Sequence, residues 1–128
     1  GAYKDRMKFR LAETYLLLAE AYLRQDMPDK AADAVNEVRR RAKVSDVSDE
    51  EMTMDFLLDE RIRELYGEES RRFTLIRTGK LLERVRKYNP EARDLIQDFH
   101  VLWPIPQAIH DANVGNFPQN PGYEGYEG

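Results

Sequence analysis

The sequence contains no cysteine in its 128 residues. That removes a disulfide framework and any thiolate metal cluster. It leaves the compartment open, because an oxidising space permits disulfides without requiring them. Histidine is nearly absent too. His100 and His110 are the two present, no His-x-x-x-His spacing occurs, and no zinc site is expected. Both read as ordinary surface or turn residues. No apolar run approaches the roughly 20 residues that cross a bilayer; Leu16 to Ala19 is already broken by Glu20. Gly1-Ala2-Tyr3-Lys4-Asp5 is followed by no apolar region, so no signal peptide is expected in these residues. Charge of a single sign is lacking as well. With 20 basic and 24 acidic residues the net charge is -4, which gives no global pull toward nucleic acid or anionic lipid. No nucleophile–base pair or matched carboxylate pair stands out, so no enzyme is expected. Thr78-Gly79-Lys80 resembles the end of a phosphate loop. That motif needs Gly where Thr74 stands and Ser or Thr where Leu81 stands, which excludes it.

What is present is helical pattern. Apolar residues on the first segment form two stripes, Leu11-Tyr15-Leu18-Tyr22 and Ala12-Leu16-Ala19-Leu23. Steps of three and four mark one wide helix face, predicting a largely buried helix over 7–25. Asp26-Met27-Pro28 ends it and starts a second helix over 28–42, with Ala31, Val35, Val38 and Ala42 facing inward. So short a connection makes an antiparallel hairpin. A polar linker over 44–49 follows. Ser48 and Glu51 have capping-box spacing for a third helix, with Thr53 as the alternative cap. Met54, Leu58, Ile62 and Leu65 give its stripe, and Gly67 stops it. A fourth stretch over 70–88 is bent or split at Gly79 and ended by Asn89-Pro90, and residues 91–97 add a short helix. Trp103-Pro104-Ile105-Pro106 must be extended. Residues 107–112 allow one helical turn, and 115–128 read as turns or loose chain. With no strand pattern, the fold class is all-α: helical hairpins over 7–43, further helices over 48–99, and an irregular Pro/Gly-rich tail over 100–128, in one domain.

The hairpin matches the tetratricopeptide pattern. Leu18, Ala19 and Tyr22 take its large, small and aromatic positions on the first helix, and Ala31, Val35 and Val38 those on the second. About 34 residues further on, Leu65 and Phe56 fall where Ala31 and Tyr22 would recur. The small residue is lost, so this is a single unit, and a lone unit needs other chain to cover its apolar face.

Charge is distributed unevenly. Residues 49–69 carry nine acidic and two basic side chains, and 71–87 seven basic and one acidic. Glu60, Arg61, Glu64, Glu68, Arg71 and Arg77 are therefore expected to form an ion-pair and capping network between the third and fourth helices, rather than a charged-ligand site. The aromatic candidates for ligand binding are Trp103, Tyr123 and Tyr126. An exposed indole stacks on the apolar face of a sugar ring, but the Pro-Ile-Pro setting of Trp103 favours a buried anchor. No cofactor and no metal are expected.

Six segments in order resemble the SusD/RagB family. Arg10 to Ala21 is similar to its "RLAE-x-YL" helix, and Ala34 to Ala42 to its "N-x-VR-x-RA" helix. Leu58 to Glu68 is similar to "LDER-x-REL-x-GE", and Arg71 to Arg77, "RRFTLIR", follows. "LWPIPQ" over 102–107 and "QNPGY" over 119–123 resemble the C-terminal signature. Thr74 departs, standing where many members carry Asp. The resemblance implies a SusD-like α-α superhelix. It also implies a non-enzymatic, surface-exposed outer-membrane lipoprotein of Bacteroidetes-type bacteria, serving polysaccharide utilization. Such proteins cap a TonB-dependent, SusC-like transporter and hand over oligosaccharides or other nutrients. Members are several times longer, so this chain is expected to be a C-terminal scaffold portion, and no ligand residue is carried over. The competing expectation is a stand-alone tetratricopeptide-like protein-interaction module.

Overall fold

A computed structural model describes residues 9–115 and 117–125. Helices are the only regular elements among the described residues, as the periodicity predicts. The chain divides into two compact units after Ser70.

In the first unit, α1 (Leu11–Leu23) packs against α2 (Pro28–Arg41) and α3 (Met54–Glu64). Pro28 opens α2, where its missing N–H has no helical partner to lose. The turn between α1 and α2 closes on Asp26 in the left-handed region, φ 58°. Its N–H donates to the Leu23 carbonyl at 3.2 Å, and that of Met27 to the Tyr22 carbonyl at 3.0 Å. This is a Schellman closure built without glycine. Lys43 (φ 58°) repeats it after α2, with the Val44 N–H on the Arg39 carbonyl.

Both predicted caps before α3 are used, at different places. Thr53 Oγ1 accepts the Phe56 N–H at 3.1 Å and caps the helix. Ser48 and Glu51 exchange the bonds of a capping box, with the Glu51 N–H on Ser48 Oγ and the Ser48 N–H on Glu51 Oε2. They do so in the turn ahead of the helix.

Leu16, Ala19, Ala31, Val35 and Leu57 are sealed from solvent. The small residues let α1 and α2 approach closely. Two expectations fail. Ala42 lies beyond the end of α2 and is exposed. The face of α1 is only half covered: Ala12, Leu16 and Ala19 are buried, whereas Leu11 is 68% and Leu18 41% exposed. Val47, in the polar linker, is buried instead. Asn36 holds it there, donating Nδ2 to its carbonyl at 3.0 Å and accepting its N–H at 2.8 Å.

The second unit holds α4 (Arg71–Arg77), α5 (Leu81–Tyr88), a 3-10 helix (Asp98–Val101) and α6 (Gln107–Ala112). Gly79 at φ 70° splits α4 from α5, and the Lys80 N–H reaches back to the Leu75 carbonyl at 2.8 Å. The short helix expected over 91–97 does not form. Asn89 Oδ1 takes the N–H groups of Glu91 and Ala92, both at 3.1 Å. That side-chain acceptor stabilises a turn in place of a helical start, and regular structure resumes only at Asp98.

Candidate ligand-binding surface

The charged candidates of the first unit are spent on one another. Arg61 is 1% exposed; its Nε donates to Glu69 at 2.9 Å and Nη2 lies 3.7 Å from Glu13. Glu60 Oε2 receives Arg39 at 2.7 Å and Arg63 at 2.8 Å. Glu64 Oε1 binds both Arg10 and Arg41 at 2.5 Å, and Arg10 also pairs with Glu68. The carboxylates of Glu68 and Glu64 hold the Arg10 guanidinium above its ordinary range, so it stays cationic. Phe56 lies beneath the guanidinia of Arg39 and Arg63, 5.4 and 5.9 Å from its ring centre. The arginines that meet Glu60 and Glu64 thus come largely from α2 and from the residue before α1.

The second unit contains the aromatic surface. Two segments, 102–106 and 119–123, are joined by side chains reaching to backbone. Gln119 Oε1 accepts the Ile105 N–H at 2.7 Å, and its Nε2 donates to the Ile105 carbonyl at 2.9 Å. The logic is local. Pro104 and Pro106 have no N–H, so the segment cannot pair as a strand. A side-chain amide, with one donor and one acceptor in the right place, serves the isolated Ile105 peptide groups instead. Asn120 Nδ2 donates to the Trp103 carbonyl at 2.8 Å and Tyr123 Oη to the Leu102 carbonyl at 2.9 Å. Gly122 (φ 86°) lies so close to Phe99 that a Cβ there would stand 2.2 Å from the ring. Phe99 meets Tyr123 edge-on at 5.0 Å. The two C-terminal motifs are therefore one clasp.

Trp103 is carried on this clasp and is 52% exposed, against the expectation of a buried anchor. The prolines rigidify its backbone without covering the indole. The Arg72 guanidinium stacks 4.4 Å from the ring centre, and Phe73, 61% exposed, lies 6.3 Å away. An arginine beside a half-open indole offers a sugar both an apolar face and hydrogen-bond donors. Tyr123 is half-buried with its hydroxyl spent on the clasp. Tyr126 lies outside the described residues. Sequence reasoning missed Arg72 and Phe73. Their signal was the "RRF" run at the start of a helix, but nothing in it points to a tryptophan thirty residues away. Of the histidines, His100 Nδ1 accepts the Gln97 N–H at 2.8 Å, and His110 packs on Phe117 at 5.5 Å.

Among the described residues no group of three or more acidic or histidine side chains is arranged to hold a metal. No helix there is long and apolar enough to cross a membrane. On the first unit a cleft of about 480 Å³ runs beside Leu11, Tyr15 and Val38, along the uncovered stripe of α1.

The model of the SusD family matches residues 1–123. Among similar curated proteins is the SusD-like protein P25 of Formosa agariphila, 36% identical over 80% of this chain and 21% of its own length. The starch-binding protein SusD of Bacteroides thetaiotaomicron is 35% identical over 91% of this chain and 21% of its own. SusD-like protein P38 of Formosa agariphila is 32% identical over 76% of this chain and 20% of its own. The chain thus spans about a fifth of the length of the curated relatives it matches. No solved structure gives a significant match.

Proposed function

The chain belongs to the SusD family, and from that premise we propose that it is part of a non-catalytic, glycan-binding protein of nutrient uptake. On this reading it supplies the C-terminal helical scaffold, and the whole protein works beside a TonB-dependent, SusC-like transporter at the outer membrane as a surface lipoprotein. The observation that carries the reading is the 35% identity, over 91% of this chain, to a protein named for starch binding.

The wiring of the first unit fits a scaffold. Arg10, Asn36, Arg39, Glu60, Arg61 and Glu64 come from the three N-terminal family-like segments, and each is engaged in holding the fold. Trp103 and Phe73 are the exposed aromatic side chains beside the clasp.

The test is incubation of the purified chain with starch oligosaccharides and other glycans, followed by product analysis and by titration of Trp103 emission. Unchanged oligosaccharides are expected, with at most weak quenching of the Trp103 emission. Accumulating hydrolysis products would overturn the reading. A second reading, a tetratricopeptide-like interaction module, is favoured by the exposed Leu11 and Leu18 on α1. It predicts peptide binding that Leu18→Glu abolishes and glycans leave unaffected.

A further inference from the structure

A cleft of about 320 Å³ in the second unit lies between the end of α5 and the 92–100 segment. Its volume is at the lower end of the range in which small ligands bind, roughly 300–1,000 Å³. Val85, Leu95 and Ile96 give it apolar walls, and Arg72, Asn89 and His100 supply its polar groups. All three are left as donors. Asn89 Oδ1 is occupied by the Glu91 and Ala92 N–H groups, so its amide offers N–H. His100 Nδ1 accepts the Gln97 N–H, which puts the ring proton on Nε2. The Arg72 guanidinium is held by the His100 carbonyl at 2.5 Å and by the face of Trp103, while its Nε is buried and meets no acceptor among the described residues. That buried Nε is out of a ligand's reach, so what the cleft offers is the outer edge of the guanidinium. Asp98, the carboxylate on the adjoining 3-10 helix, pairs with Arg86 at 3.1 Å.

We propose that this cleft binds a small carboxylate, its oxygens received by Arg72 and His100 and its apolar body lying on Val85, Leu95 and Ile96. A uronic acid and a short aliphatic acid share this chemistry. The cleft shares Arg72 with the Trp103 surface but is not lined by Trp103 or Phe73, and the inference goes beyond the glycan reading without depending on it.

The test is a proton–nitrogen NMR titration of the chain with glucuronate, glucose and hexanoate. Glucuronate, hexanoate or both should shift the Arg72 and His100 side-chain signals, and glucose should not. Binding by glucuronate alone identifies a sugar acid, and by hexanoate alone an aliphatic one. Arg72→Gln should weaken binding about ten-fold or more. That side chain also contacts Trp103 and the 97–101 turn, so a second variant is needed should it unfold. Leu95, 71% exposed, tolerates Leu95→Glu, and the added negative charge should weaken either acid similarly. Failure of both acids to shift these signals would overturn the proposal. So would glucose acting as glucuronate does, or acid binding unchanged in Leu95→Glu.

Discussion

Arg61 is the side chain at which burial and charge conflict most. A guanidinium 1% exposed is tolerable only with its carboxylates in place. Removing it takes a charged donor from Glu69, whose side chain is 4% exposed. Arg61→Ala should cost about 3–5 kcal/mol, the range for breaking a buried pair from one side, and a urea titration should show the lowered midpoint. Arg40→Ala, whose partners Glu37 and Asp46 are half open to water, should barely move it. Equal midpoints for the two variants would contradict this account of the network. The sequence leads to the expectation that Glu60, Arg61, Glu64 and Glu68 are structural, because an acidic stretch needs neutralising. It does not show which arginines answer them, since Arg10 and Glu64 are 54 positions apart and charge runs carry no long-range pairing. Trp103 was misread for a related reason. Pro-Ile-Pro dictates an extended backbone, but what covers the indole depends on Gln119 and Asn120 anchoring that backbone from a distant segment.

Among the elements, the helix ends are legible where a residue type is nearly obligatory. Pro28 starts α2, Gly79 divides α4 from α5, and Thr53 caps α3. Expectations failed where local hydrogen bonds compete. The Ser48–Glu51 pair made a turn rather than a helix start, and Asn89 captured the N–H groups a helix over 91–97 needed. Lys43 is the counter-case, a left-handed position no glycine announces. At φ 58° a side chain costs about 1–2 kcal/mol relative to glycine, and the greater freedom of an unfolded glycine chain offsets part of that. Lys43→Gly should therefore stabilise the chain by about 0.5–1 kcal/mol, read as a higher melting temperature. A lower one would mean that Lys43 contributes more through its side chain than its backbone costs.

At the scale of the whole molecule, the all-α class and the family were both legible, because the six family-like segments keep their order from Arg10 to Tyr123. The structure adds what those segments are for. The first three hold one three-helix unit together, and the last two close on each other through Gln119, Asn120 and Tyr123. Such wiring fixes each segment within its own unit. It was invisible in the sequence because each link joins segments that only the fold brings together. The most direct measurement is co-purification of the native protein from detergent-solubilised outer membranes, with every companion identified by mass spectrometry. The account predicts a TonB-dependent transporter in near-stoichiometric amount. Recovery from the soluble fraction, with no transporter attached, would contradict it.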